Sequence, residues 1–289
     1  MSFKTAAVVP NLTKKRAYTV SIEAISLLRA MDIAVIMSKR YRESYRNIDV
    51  RFVDDSILYS SCDLVITIGG DGTIIHAARH TSENSKPLLG INTGRLGFVA
   101  EIEPNELSLL TRLASGEYTI EKRMLIKVIH KSRGAVKEYL SVNDAVISRG
   151  SLSRLIDIDV SLAQDKGYIC NYRADGLIFS TPTGSSAYSL AAGGPVVEPT
   201  MKCIIMTPIC SHALFARPVV FSHESDIVVK ASCDDDTEVF LTIDGAKTET
   251  IKKDDTVVVT CAEEEAELIR LKNKTFYRVL NDKFTERGG

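Results

Sequence analysis

The chain has 289 residues, 45% hydrophobic and 25% charged, enough apolar material for one large or two ordinary globular domains. Its 36 basic and 37 acidic residues leave a net charge of -1, so no whole-chain field draws it to nucleic acid or to an anionic membrane. No apolar run approaches the ~20 residues of a membrane span, and the N-terminal run to Pro10 lacks the length and cleavage pattern of a signal peptide.

In chain order, residues 5–11 read as a first strand. Residues 14–31 read as a helix, because Val20, Ala24, Leu27, Leu28 and Met31 share one face. A second strand is predicted over 33–37, and 51–62 is a mixed connection. Asp63-Leu64-Val65-Ile66-Thr67-Ile68 is a β-branched apolar run, the pattern of a buried parallel strand. It breaks at Gly69-Gly70, passes one carboxylate at Asp71, and resumes through Gly72-Thr73 as a helix to about residue 81. Another strand follows over 87–92, then the turn Thr93-Gly94-Arg95-Leu96-Gly97-Phe98, then a helix from 103 to about 114 with Pro104 in its first turn. Strands alternating with helices predict a parallel α/β sheet, in which ligands bind beyond the C-terminal strand ends. The turns at 69–73 and 92–98 both lie there.

A strand, a glycine elbow and a helix start form a phosphate-binding geometry. Glycine lets the backbone approach the anion, and free N–H groups at the helix start point at it. Asp71 is out of place beside phosphates unless a metal or a proton transfer needs it. The same residues also read as an ordinary strand-to-helix turn with Asp71 as the N-cap.

After about residue 118 the pattern changes. Ile156, Ile158, Val160 and Leu162 alternate with Asp157, Asp159 and Ser161, as in a half-buried strand. Further strands are predicted over 124–129, 138–142, 145–148, 176–180, 204–206, 219–221, 226–230, 238–243 and 256–260, with Asp175-Gly176 and Asp244-Gly245 as turn dipeptides. Many short strands and few helices make an antiparallel β domain. Thr181-Pro182-Thr183-Gly184-Ser185-Ser186-Ala187-Tyr188-Ser189 interrupts it, followed by Leu190-Ala191-Ala192-Gly193-Gly194-Pro195. This run reads either as a Ser/Thr/Gly surface loop or as a second helix N-terminus whose small side chains admit a flat ring. The tail reads as a strand over 267–272 and a helix over 276–284, with Phe276, Val279, Leu280 and Phe284 on one face.

The six cysteines, Cys62, Cys170, Cys203, Cys210, Cys233 and Cys261, contain no CxxC pair. Most lie in apolar segments and read as buried free thiols of a reducing, cytoplasmic compartment, with no zinc site. His76 and His80 share a helix face and read as polar surface beside the elbow; no HExxH occurs, and no residue is assigned as a metal ligand.

Several segments, in order along most of the chain, resemble the NAD kinases. They are Gly69-Gly70-Asp71-Gly72-Thr73, Gly90-Ile91-Asn92-Thr93-Gly94-Arg95-Leu96-Gly97-Phe98, Asn143-Asp144, Asp175-Gly176, the run from Thr181 to Pro195, and Ile243-Asp244-Gly245. The resemblance implies phosphoryl transfer from ATP to the 2′-hydroxyl of the adenosine ribose of NAD. It implies a divalent cation (Mg2+ or Mn2+) and a homodimer or homotetramer. It also implies an α/β domain of residues 1–118 plus 265–289 that binds the phosphate donor, and a β-rich NAD-binding domain of residues 119–264, with the C-terminal segment returning to the first. Asp71 matches the family's catalytic carboxylate and Gly72 its neighbouring contact. Asn143 and Asp144 match an Asn-acidic pair on the dinucleotide, where many relatives have Glu in second place. Asp175 matches another dinucleotide contact. Ser186, Ala187 and Tyr188 match the lining of the adenine and nicotinamide pocket. Arg154 and Arg173 stand where some bacterial members have basic nucleotide contacts. Gly69, Gly70, Thr73, Phe98, Thr183 and Ala191 lie in the same motifs as further binding positions. Ala191 replaces a Ser of some relatives, and Ala246 a polar residue.

The chemistry fits those residues. A ribose hydroxyl needs a carboxylate to take its proton, and the transferred phosphoryl needs positioning and a metal ion. Neither a Walker GxxxxGKS/T nor a Rossmann GxGxxG sequence is present. Two alternatives share some of these features: a lipid or sugar kinase using the GGDGT element, and a non-catalytic dinucleotide-binding regulator.

Overall fold

The computed structural model describes residues 3–94, 97–150, 155–163, 167–213, 216–232, 238–273 and 275–286. Arg95, Leu96, Arg154, Cys233 and the side chain of Phe284 lie outside the described residues. The chain divides into two compact units, Met1–Lys122 with Glu265–Gly289, and Arg123–Glu264.

The first unit alternates strands and helices: β1 (Thr5–Pro10), α1 (Ala17–Ala30), β2 (Ala34–Ser38), β3 (Arg51–Val53), α2 (Asp55–Leu58), β4 (Leu64–Gly69), α3 (Asp71–Glu83) and β5 (Leu88–Asn92). All pairings among β5-β4-β1-β2-β3 are parallel, as the alternating pattern predicts. β4 is buried along its whole length, which its unbroken apolar run requires of a central parallel strand. Val20, Ala24, Ile25 and Leu28 turn one face of α1 into the core beside Ile66, Ile68 and Leu89. The predicted helix from 103 is instead a 3-10 helix, Pro104–Thr111, followed by the single turn α4 (Arg112–Ser115) and a stop at Gly116 with φ +74°. The reason is spacing. Leu107 and Leu110 are three apart and both buried, a spacing that three residues per turn places on one edge.

The second unit is antiparallel. It contains β6 (Thr119–Ser132, entering from the first unit), β7 (Ala135–Ser141), β8 (Asp144–Arg149), β9 (Ile156–Leu162), β10 (Tyr168–Ala174), β11 (Gly176–Ser180), α5 (Tyr188–Ala191), β12 (Cys203–Ile209), β13 (Val219–Ser222), β14 (Ile227–Ser232), β15 (Val239–Ile243) and β16 (Lys247–Ile251). One sheet runs β13-β12-β11-β8-β15-β16. β10-β9-β14 form part of the other, and both contribute to a single core of Ile147, Ile158, Val160, Phe179, Met206 and Leu241. Two strands of this unit escaped the sequence reading, β10 and β16, as did β3 in the first unit, where residues 51–62 read as a mixed connection. β10 and β16 each pair on one side only among the described strands, and neither carries a clear apolar run, so a neighbour's ladder and not its own pattern makes each a strand. Asp244 and Gly245 have φ of +48° and +67° and close the β15–β16 hairpin, as the dipeptide predicts. Asp175-Gly176 does not make such a turn. It is a bend between β10 and β11, which lie in different sheets.

The predicted strands at 256–260 and 267–272 are one strand, β17 (Thr256–Arg270). Its early residues pair with β14 in the second unit, and Leu268 pairs with Leu88 of β5 in the first. The helix α6 (Phe276–Glu286) follows.

Candidate functional site

The elbow after β4 forms because two glycines permit it. A side chain at Gly69 would place its Cβ 2.8 Å from Thr73 Cβ, so only glycine lets the chain close into α3. Gly70 is the residue before the helix, and Asp71 is its first residue. The N-cap alternative for Asp71 therefore fails. Its carboxylate caps nothing in α3 and instead accepts N–H groups from the next loop, Phe98 N at 2.7 Å and Val99 N at 3.3 Å. Gly97 is what makes room. A Cβ there would collide with the whole Asp71 carboxylate, 2.7 Å from Oδ2 alone. Asn92 shapes the start of that loop by accepting Gly94 N at 3.0 Å. Phe98 lies 6.3 Å from the Phe276 ring, centroid to centroid, and Lys283 Nζ lies 3.9 Å over its face.

Strand order reverses between β1 and β4, the switch point at which a parallel sheet leaves a crevice. A cavity of about 650 Å³ lies there, lined by Asn11, Thr13, Arg40, Tyr41, Gly72, Thr73 and His76 among others. Asn11 donates to Thr73 Oγ1 at 3.2 Å, and Tyr41 donates its hydroxyl to Pro10 O at 2.8 Å. Asn11, Arg40, Tyr41 and His76 were not singled out as binding residues from sequence. The one available signal was Asn11 at the end of a strand already expected to border the site. His76 is exposed as predicted, and its ring meets His80 at 5.1 Å between centroids. Among the described residues no group of three or more His, Cys, Asp or Glu side chains could hold a metal ion.

In the second unit three segments converge. Asp244 accepts Val142 N at 3.1 Å, Asn143 N at 2.8 Å, Asp144 N at 3.2 Å and the Ser141 hydroxyl at 2.8 Å. Thr181 donates its N–H to Asn143 O at 2.9 Å and its hydroxyl to Val142 O at 2.6 Å. Gly184 sits against the Asn143 backbone, where a Cβ would lie 2.7 Å from Asn143 Cα. Asp144 is buried, and its acid is pushed up to about 7, first by burial and then by the charge of Asp244.

Neither reading of the hydroxyl-rich run survives intact. Residues 181–185 are buried, so it is not a surface loop, and α5 has only four residues, so it is no helix N-terminal cradle. The hydroxyls turn inward. Arg123 donates to Thr183 Oγ1 at 3.1 Å, Ser185 donates to Pro182 O at 2.7 Å, and Ser189 pairs with Thr207 at 2.9 Å. From Ser186 the chain emerges. Ala187, Tyr188 and Ala191 are exposed, and Gly193 stops the turn with φ +87°. Asp175 stands apart from Asp144. They lie at opposite ends of the β8–β11 ladder, in which Gly176 pairs with Ser148 and Ser180 with Asp144, about 13 Å along the strand. Asp175 is paired with Arg149 at 2.8 Å, and Arg173 lies exposed on β10. Five described cysteines are free. Of the cysteines, most of which the sequence predicts to be buried, Cys62 and Cys203 are buried, Cys170 and Cys261 are half-buried, and Cys210 is exposed.

A parallel sheet whose glycine elbow fixes one carboxylate next to Gly72 and Thr73 of a switch-point cavity, on a chain that continues into an antiparallel β unit, fits a nucleotide-dependent phosphotransferase. Comparison with known proteins narrows the class. The model of the ATP-NAD kinase N-terminal domain matches residues 7–118, and that of the ATP-NAD kinase C-terminal domain matches residues 142–271. The chain is 37% identical over 281 residues to a NAD kinase of Moorella thermoacetica, covering 97% of this chain and 89% of that one. It is 35% identical over 291 residues to a NAD kinase of a Thermoanaerobacter species, covering 98% and 100%. Among solved structures, an Archaeoglobus fulgidus NAD kinase in complex with ATP aligns with a TM-score of 0.73 at 26% identity, covering 96% of this chain and 98% of that one. A yeast NADH kinase complexed with NADH shares the fold, with a TM-score of 0.90 at 23% identity, covering 98% and 87%. The chain belongs to the NAD kinase family. The expected α/β plus β fold holds, and the lipid or sugar kinase and idle-regulator alternatives receive no support.

Proposed function

We propose that the chain makes NADP by transferring the γ-phosphoryl group of ATP to the 2′-hydroxyl of the adenosine ribose of NAD, with Asp71 as general base. The observation that carries this is the grip on Asp71. One backbone N–H holds each carboxylate oxygen, at 2.7 and 3.3 Å, and each oxygen keeps a lone pair for a substrate hydroxyl. As the ribose oxygen bonds to the γ-phosphorus, its proton passes to Asp71, and the bond to ADP breaks on the opposite side. The elbow's Gly69, Gly70, Gly72 and Thr73, with Phe98, would face the phosphates and ribose. Mg2+ or Mn2+ would enter with the ATP substrate, where it spreads the phosphate charge. Asn143, Asp144, Thr183, Ser186, Ala187 and Tyr188 would contact the dinucleotide. Their support is the convergence of residues 141–144, 181–186 and Asp244 in one place, and the emergence of Ser186, Ala187 and Tyr188 at the surface. The first unit would thus serve the donor and the second the acceptor.

A homo-oligomer and a cytoplasmic location complete the reading. The family resemblance supports the first, and the free thiols of the described cysteines support the second. No helix among the described residues is long and apolar enough to cross a membrane. The test is purified protein with NAD or NADH, magnesium, and ATP or polyphosphate, with product measured by an NADP-specific dehydrogenase. NADP from NAD and ATP is the expected result. Phosphorylation of a lipid or sugar without any NADP would overturn the reading.

A further inference from the structure

Asp71 is gripped by the peptides of Phe98 and Val99, but those peptides need a hold of their own. Val99 is held on both sides. Its N–H donates to Asp71 Oδ1 at 3.3 Å, and its carbonyl accepts from Arg270 Nη1 at 3.1 Å. The rest of the Arg270 guanidinium is fixed. Nε and Nη2 donate to Glu121 Oε1 at 3.2 and 2.7 Å, and Nη1 also reaches Glu101 Oε2 at 3.2 Å. Glu101 is buried, and its other oxygen accepts Leu271 N and Lys272 N, each at 2.8 Å. The Arg270 side chain is 14% exposed, so water competes little for these bonds. A planar fork with donors in several directions can hold two carboxylates and a carbonyl at once; an ammonium cannot match that geometry.

We infer that Arg270 is a positioning residue for Asp71, holding the Val99 peptide so that the loop of residues 97–99 presents its N–H groups to the carboxylate. This rests on the reading of Asp71 as the base. The residue comes from the far end of the chain, 171 positions after Val99, and no motif marks it. Phe98, the second donor to Asp71, directly precedes Val99 in the same loop.

The test uses the full chain carrying Arg270→Gln or Arg270→Lys, each also combined with Asp71→Asn. Arg270→Gln should lower kcat about tenfold, less than the hundredfold that an ångström of misplacement can cost. KM for NAD and for ATP should stay within about twofold, because neither substrate touches the arginine in this scheme. Arg270→Lys keeps the buried charge that Glu101 needs and should recover part of kcat. On the Asp71→Asn background the same change should cost less than about twofold, because a device that acts through Asp71 has nothing left to act on. Hydrogen exchange read at the Phe98 and Val99 amides should quicken in Arg270→Lys, a variant chosen to fold where Arg270→Gln does not. An additive loss on the Asp71→Asn background, equal rises in both KM values, or unchanged exchange at these amides would overturn the inference. If Asp71→Asn keeps its activity, the base assignment has failed instead, and the amide exchange still decides whether Arg270 holds the loop.

Discussion

The elbow of the first unit and the loop cluster of the second each centre on an aspartate clamped by backbone N–H groups, and they differ in how completely. Asp244 receives four donors, which matches the roughly four lone-pair sites of a carboxylate. Three of the donors fall on Oδ1 and one, Val142 N, on Oδ2, so Asp244 organises residues 141–144 and adds its charge to the surroundings of Asp144. Asp71 receives two donors from the described residues, one on each oxygen. A carboxylate tied by four donors to one loop of its own chain acts as scaffold; one that is held by two keeps more capacity for chemistry.

The sharpest way to break that contrast is Asp71→Asn. The amide cannot take the ribose proton, so kcat should fall ~10²–10⁴-fold with little change in KM for NAD. One of the two N–H donors would then face an NH2 group, which should cost about 1 kcal/mol of stability. Steady-state kinetics beside a melting curve separate the two effects, and a variant keeping more than about a tenth of wild-type kcat, outside that range, removes Asp71 from catalysis.

Gly97→Ala attacks the same carboxylate from the loop side. The new methyl would occupy the Asp71 carboxylate position, so it should lower kcat by about a hundredfold through misplacement. Unchanged kcat in a folded Gly97→Ala protein would mean that the carboxylate can move freely without consequence, against the scheme.

The matching changes in the second unit should read out as binding. Asp144→Ala, or Gly184→Ala with its methyl 2.7 Å from Asn143 Cα, should raise KM for NAD about tenfold while KM for ATP and kcat move much less. Equal changes in both KM values would erase the proposed division between donor and acceptor units.

The smallest effect is a pH dependence of stability. The folded Asp144 acid titrates near 7, above the about 3.9 of an unfolded aspartate. Between those values the folded chain holds the extra proton, so its contribution is full below about pH 4 and is lost as pH rises through 7. Asn cannot ionise. The melting temperature of Asp144→Asn, relative to wild type, should therefore rise between pH 5 and pH 8 by about 2–4 °C for each kcal/mol involved. A difference that is flat with pH would show that burial and Asp244 do not raise the Asp144 acid.

The sequence alone determined the elements whose causes are local. A β-branched run ending in two glycines had to be a buried strand and an elbow, because these depend on near-neighbour sterics and on period, whereas of the two Asp-Gly dipeptides only Asp244-Gly245 became a hairpin turn, because only there are the flanking strands ladder partners. The alternation before residue 118 and its loss afterwards determined the two kinds of sheet. What acts on those elements was decided only by the tertiary structure. Phe98 and Val99 reach Asp71 across 27 and 28 residues, Asp244 meets Asp144 across 100, and Arg270 reaches Val99 across 171. The cavity at the switch point gathers Asn11, Arg40 and His76 from three separate segments. The inward turn of the Thr181 and Thr183 hydroxyls likewise depends on Val142 and Arg123, 39 and 60 positions away, while β10 and β16 take their strand state from the ladder of the preceding strand. Hydrogen bonding and burial act through space, and a linear pattern carries no distance between residues a hundred positions apart.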